Sequence, residues 1–258
     1  MSSDLDLAER AARAAGEVLM SYYGRAPEGL ASKTSATDPV SDADREAERA
    51  IREILETERP DDGLLGEEGS QSDSASGRTW IVDPLDGTVN FLYGLRAWGV
   101  SIALEDAEGL AVGVVFNPVS GECFAAERGN GTTMSGRTIR VTDCRSLDRA
   151  MVSTGFSYES ERRAEQASLL VELLPRIRDL RRAGAAALDL AYVAAGRVDA
   201  FYERGLQRWD EAVGRLLVHE AGGVTADMEG EPHGVVAAAT PELLEELMPL
   251  VRKPATTT

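Results

Sequence analysis

The chain has 258 residues, 43% of them apolar and 5% aromatic, with a net charge of −17 at neutral pH; that is long enough for one large domain or two smaller ones, with cores built mainly of Ala, Val and Leu. The acidic balance, with a pI of about 4.6, argues against nucleic acid and anionic membrane as partners, because both would be repelled. An anionic substrate would be repelled too, so a site for one has to bring its own cations.

Lys33 and Lys253 are the only lysines. An acid-rich surface poor in lysine fits a salt-rich cytosol, where a Debye length of about 3 Å at 1 M screens self-repulsion; a GC-rich genome would favour Arg over Lys equally well. Residues 1–4 hold no basic region followed by an apolar run, and no stretch is long enough to span a bilayer, so a cytoplasmic protein is expected. In that compartment Cys123 and Cys144 are expected to be reduced.

In chain order, Leu5, Ala8, Ala12, Ala15, Leu19 and Tyr22 recur at helical spacing, with Ser3 as cap and Gly24 as stop. Ser41 opens a second helix carrying Asp44, Ala47, Ile51 and Ile54 on one stripe; Asp44 reads either as the partner of Ser41 in a cap or as an inward carboxylate. Leu64-Leu65-Gly66-Glu67-Glu68-Gly69 sets two acids between glycines, which alone reads as solvated surface charge. Residues 80–82 form a buried strand that delivers Asp83 and Asp86 into the following turn, and residues 88–93 begin a helix. Strand-like runs at 98–104, 111–116 and 122–126 make a meander, expected to be one antiparallel sheet closed by residues 138–141.

A soft boundary falls near 140–150, giving a first half of residues 1–145 and a second of 146–258. The second half alternates strands at 151–154, 176–182, 198–202, near 224 and 235–238 with helices at 161–174, 184–195, 210–221 and from 241. This pattern implies an α/β layer with helices on both faces. Asp210 begins its helix and reads as an N-cap, or as a carboxylate at a helix mouth beside the Asp86-Gly87-Thr88 turn.

Glu67, Asp83, Asp86 and Asp210 are an all-oxygen set that selects Mg²⁺, Mn²⁺ or Ca²⁺ over zinc or copper. Pro84 stiffens the backbone between two of these acids, and the Leu85 carbonyl can face the same centre. Two such ions about 3.5 to 4 Å apart make a clamp for phosphoryl transfer. Neither His219 nor His233 lies in a triad setting.

Gly66-Glu67-Glu68, Trp80-Ile81-Val82-Asp83-Pro84-Leu85-Asp86-Gly87-Thr88-Val89-Asn90-Phe91 and Trp209-Asp210 followed by Glu220-Ala221-Gly222-Gly223 resemble the three signatures of the inositol monophosphatase family of Mg²⁺-dependent sugar and polyol phosphatases, in order and spacing. The resemblance implies an α/β (α+β) fold, a layered α/β/α/β/α sandwich with an antiparallel sheet in the first half and a mixed sheet in the second, and a homodimer. It implies two or three Mg²⁺ ions, with Mn²⁺ as an alternative. Glu67, Asp83 and the Leu85 carbonyl would hold one, and Asp83, Asp86 and Asp210 a second. Glu67 and Thr88 would orient the attacking water, and Asp44 would support Thr88. The Gly87 and Thr88 amides would hold the phosphate. Ala186, Glu203 and Asp210 would meet substrate hydroxyls, with Arg181 flanking them, and Lys33 and Asp38 match a mobile loop over the site. The implied substrate is a small phosphorylated sugar or polyol, inositol 1-phosphate first and fructose 1,6-bisphosphate as the alternative.

Other readings fit less well. Asp-nucleophile phosphatases of the haloacid dehalogenase type place their acids two apart, whereas Asp83 and Asp86 are three apart. A twelve-residue calcium loop counted from Asp83 has Thr88 where it needs Gly and Gly94 where it needs Glu. A scaffold that kept the fold and lost the chemistry would have no reason to keep every matched ligand.

Overall fold

Alanine-rich periodicity and a serine cap produce the first helix, α1 (Asp4–Tyr22): Ser3 Oγ accepts a hydrogen bond from the Asp6 amide at 3.1 Å, and Leu7, Ala8, Ala11, Ala12, Ala15 and Leu19 are buried. The computed structural model describes residues 3–24, 31–32, 39–40 and 42–252. Lys33, Asp38 and the proposed cap Ser41 lie outside them. The two-residue strands β1 (Ala31–Ser32) and β2 (Pro39–Val40) pair antiparallel. Helix α2 (Asp42–Glu58) follows and buries Ala43, Asp44, Ala47, Glu48, Ile51 and Leu55. Its inward stripe therefore takes in Glu48 and Leu55, and Ile54 sits at its edge.

The first sheet has eight strands: β3 (Gly63–Gly66), β4 (Gln71–Ser72), β5 (Thr79–Asp86), β6 (Gly99–Asp106), β7 (Gly109–Asn117), β8 (Glu122–Glu127), β9 (Gly131–Met134) and β10 (Arg137–Ile139), in the order β10-β9-β8-β7-β6-β5-β3-β4. The meander is antiparallel as expected. The sheet as a whole is mixed, a correction to the all-antiparallel expectation, because β3 pairs parallel with β5. The chain turns outward through β4 before returning on the other side of β3, so β3 and β5 run the same way. Short helix α3 (Thr88–Leu92) leaves the end of β5.

The second sheet has five strands, β11 (Met151–Thr154), β12 (Asp179–Arg181), β13 (Ala200–Arg204), β14 (Val224–Met228) and β15 (Gly234–Ala238), in the order β12-β11-β13-β15-β14. It is mixed, with β11 parallel to β12 and β13. Helices α4 (Ser160–Leu173), α5 (Ala186–Ala194), α6 (Arg208–Glu220) and α7 (Pro241–Val251) complete the chain.

Three apolar clusters define the layers. Helices α1 and α2 cover one face of the first sheet against Trp80, Val82, Val100 and Ile102. On its other face Leu188, Leu190, Val193, Val213 and Leu217 of α5 and α6 pack between the two sheets. Leu173 of α4 and Leu243 and Leu247 of α7 close the outer face of the second sheet against Val152 and Val236. The α/β/α/β/α order is the expected one, and the alanine-rich α5 allows the middle layer to pack closely. Because α5 and α6 come from the second half of the chain yet rest on the first sheet, they bring Ala186 and Asp210 to the end of β5. Both cysteines are unbridged.

Candidate active site

Strand β5 does not stop before its acids. It runs through Asp86, and its pairing with β6 shifts register between Asp83, opposite Ser101, and Asp86, opposite Gly99. Three steps on β5 meet two on β6, a bulge of the kind that re-aims side chains. Pro84, with no N–H to offer a ladder, stands in the bulge. Asp83 is 1% exposed, and its Oδ1 accepts a hydrogen bond from the Leu85 amide at 2.9 Å. The acids thus sit inside an irregular strand, a correction to the expected strand followed by a turn.

Asp86 reaches across the molecule. Its Oδ1 accepts from the Ala186 amide at 3.1 Å and its Oδ2 from the Ala187 amide at 2.8 Å, so it satisfies two free amides at the start of α5. Gly87 has φ of +89°, and a Cβ there would lie 2.9 Å from the Ala97 carbonyl oxygen, so only glycine fits. Thr88 Oγ1 donates to the Leu85 carbonyl at 3.1 Å. Asn90, which sequence reasoning passed over, donates from Nδ2 to the carbonyls of Ala97 at 2.6 Å and Ala183 at 2.8 Å, tying α3 to the approach of α5. Phe91 packs edge-on against Trp98, their centroids 5.1 Å apart, beneath the same helix.

Glu67 leaves the end of β3 beside β5, its amide donating to the Val82 carbonyl at 3.1 Å. The turn that carries it is held from below by Glu48, which is 3% exposed; its carboxylate accepts from the Glu68 amide at 2.8 Å and the Ser70 amide at 3.0 Å. Glu48 was not singled out in the sequence, although it lies one turn beyond Asp44 on the buried stripe of α2. Asp44 is buried, does not line the cleft, and stands close enough to Asp83 for its charge to be felt there.

Asp210 is the third residue of α6, where its carboxylate accepts from the Gln207 amide at 2.6 Å in a reciprocal capping box. Gln207 is the N-cap, which corrects the N-cap reading of Asp210. The acid nevertheless faces the cleft. One cleft of about 680 Å³ is lined by Glu67, Asp83, Leu85, Asp86, Gly87, Thr88, Ala186, Glu203 and Asp210 together, with Gly155, Phe156 and Arg182 on the same wall system. Arg181 is not there. It is exposed and bonds Asp179 at 2.5 Å, while its neighbour Arg182, just past the end of β12, lines the cleft. His219 bonds Thr225 and His233 lies beside Glu211, both outside the cleft.

Burial pushes the Asp83 carboxyl well above its ordinary range, with further upward pushes from Glu67, Asp86, Asp210 and Asp44. Asp210 is raised chiefly by burial, and Asp86 to about 7 by burial against the opposing pull of the α5 amides. Glu203 keeps some exposed area because it faces the cleft, yet its carboxyl sits deep enough that burial, then Asp189, lift it to about 8. Buried acids that raise one another are a site waiting for positive charge. Oxygen-only donors of this kind suit Mg²⁺ or Mn²⁺. Among the described residues, however, no three acidic, histidine or cysteine side chains stand arranged so as to hold an ion by themselves; several of their oxygens face backbone amides instead.

The inositol monophosphatase family model matches residues 1–255. The chain belongs to the inositol monophosphatase family. It is 44% identical over 233 residues to an inositol-1-monophosphatase of Rhizobium meliloti, covering 89% of this chain and 87% of that protein. It is also 39% identical to a Nus factor SuhB of Pasteurella multocida, covering 96% and 95% of the two. The extragenic suppressor protein suhB of Bartonella henselae has the same architecture, with a TM-score of 0.91, 38% identity and coverage of 98% and 99%. Against this family background, each of the three stretches quoted from the sequence sends residues to the cleft, while residues 220–223 lie at the far end of α6, where Glu220 accepts from the Gly129 and Gly131 amides.

Proposed function

We propose that the chain is a Mg²⁺-dependent phosphomonoesterase acting on a small sugar or polyol phosphate, with inositol 1-phosphate as the best-supported substrate and fructose 1,6-bisphosphate as the alternative. The observation that carries this reading is the gathering of Glu67, Asp83, Asp86, Asp210 and the Leu85 backbone, from three separate segments, on one cleft whose buried acids repel one another. Glu67, Asp83, Asp86, Asp210 and the Leu85 carbonyl would hold two or three Mg²⁺ ions. Bound Mg²⁺ would supply Lewis acidity and neutralise the phosphate charge that the net charge of −17 otherwise repels.

The protein's own groups do the rest. Thr88, anchored by its hydroxyl to the Leu85 carbonyl, and Glu67 would orient water for attack, while Asp44, buried behind them, would hold this part of the site in place. The Gly87 and Thr88 amides would bind phosphate oxygens. Ala186 and Glu203, from α5 and β13, would bind the hydroxyls of the leaving polyol. We take the active form to be a cytoplasmic homodimer.

A phosphate-release panel tests this: inositol 1-phosphate, fructose 1,6-bisphosphate, histidinol phosphate and adenosine 3′,5′-bisphosphate, each with Mg²⁺ and with chelator. The reading predicts Mg²⁺-dependent release, greatest from inositol 1-phosphate. Release from none overturns it. The likeness to Nus factor SuhB favours a second reading, a Nus-type role. The acidic surface disfavours direct RNA contact, so such a role would run through a protein; retention of that role by Asp83→Asn would separate it from catalysis.

A further inference from the structure

Strand register brings two cleft residues together that lie far apart in sequence. Thr154 is the partner of Tyr202 across the parallel pair β11 and β13, so the next residues, Gly155 and Glu203, stand side by side where the strands open into the cleft. A Cβ built on Gly155 would lie 2.0 Å from Glu203 Oε2 and 2.1 Å from both its Cδ and Oε1. All three atoms of the carboxyl group occupy the space that any side chain at position 155 would fill.

The backbone does not require glycine here, because Gly155 is not among the residues with positive φ. What glycine provides is room. We propose that Gly155 is a specificity-determining residue: it lets the Glu203 carboxyl fold across the end of β11 and face the polyol part of the substrate. This inference rests on the phosphatase reading above and adds a residue to it.

The three nearest atoms to that Cβ all belong to the tip of one flexible side chain, so a methyl group there displaces Glu203 and leaves the strands in place. The position of Glu203 matters because its surroundings decide what it can offer. It lines the cleft together with Asp86, Asp210 and Arg182, so its two oxygens can reach a molecule seated there. The two oxygens of a carboxyl group can meet two adjacent hydroxyls of a polyol ring at once. Swung away from Gly155, it loses that geometry.

The test compares kcat/KM for inositol 1-phosphate with kcat/KM for p-nitrophenyl phosphate, which has no polyol, in wild type, Gly155→Ala, Glu203→Ala and the double variant. For Gly155→Ala we expect the polyol-to-phenyl ratio to fall about tenfold, the loss of roughly one good polar contact, mainly through KM. In the Glu203→Ala background the same substitution should change the ratio less than about twofold, because nothing is left to displace. Equal losses on both substrates, or losses that multiply in the double variant, overturn the proposal. If Gly155→Ala does not fold, the double variant decides: it should fold and match Glu203→Ala, and failure of both to fold overturns the proposal. A wild type inactive on both substrates contradicts the phosphatase reading itself.

Discussion

The two walls of the cleft are built differently. The wall from the first half is made of acids held by nearby backbone: Asp83 by the Leu85 amide two residues on, and the Glu67 turn by Glu48 beneath it. The wall from the second half sets Asp210, held by its capping box, beside residues that meet only through sheet register, such as Gly155 and Glu203, and exposed ones such as Arg182. The first arrangement fixes chemistry and tolerates little change. The second leaves substrate choice to a few contacts that can vary without disturbing the acids.

Breaking the first wall should have the largest effect. Asp83→Asn should lower turnover by about a thousandfold or more, because Asp83 would serve both ions. The fold should survive, since Asn resembles the protonated acid that burial already favours. Steady-state phosphate release beside circular dichroism checks this, and near-normal turnover removes the metal reading.

Next in size comes the turn beneath Glu67. Glu48→Ala strands the Glu68 and Ser70 amides, so stability should fall by about 2 kcal/mol, and the Mg²⁺ concentration for half-maximal rate should rise about tenfold, as for residues that orient metal ligands. Glu48→Gln, which keeps one acceptor, should lie between. A drop in stability with unchanged Mg²⁺ dependence would leave Glu48 a purely structural residue.

The raised acids also set a pH trend. Asp86 and Asp189 are lifted to about 7 and Glu203 to about 8, from ordinary values of 3.8, 3.8 and 4.5. Between those limits the unfolded chain has lost protons that the fold retains. Their stabilising contribution is therefore full below about pH 4 and is lost as pH rises towards about 8. The Mg²⁺-induced rise in melting temperature should accordingly be larger near pH 8 than near pH 5.5; an equal shift at both would place the ion elsewhere.

The smallest effect should come from Arg181. Bound to Asp179 outside the cleft, it should alter kcat/KM by less than about twofold when replaced by Ala, while Arg182→Ala should alter it more. The reverse order, measured on inositol 1-phosphate, would restore Arg181 to the substrate wall.

These differences also explain what the sequence made legible. The acids of β5 stood out because their spacing is local, and α1 because its alanines repeat every turn. The parallel pairing of β3 with β5 was hidden, since nothing in residues 63–86 marks a strand turning outward before it returns. Glu48 was hidden by the charged run around it, although Asp44, Ala47, Glu48, Ile51 and Leu55 lie on one buried helical stripe. Gly155 could not be found from sequence at all: its meaning depends on a neighbour 48 positions away, supplied by strand register. Arg181 and Arg182 are adjacent, and only the place where β12 ends separates the one bound to Asp179 from the one that lines the cleft.

The most direct measurement is calorimetric titration of Mg²⁺, with inorganic phosphate present, into chelator-treated protein and into Asp83→Asn and Asp210→Asn. Saturable binding in the unaltered chain, weakened or abolished in both variants, is the predicted result. Binding of the same strength in all three proteins, or none in any, would contradict a divalent-cation site made by these acids.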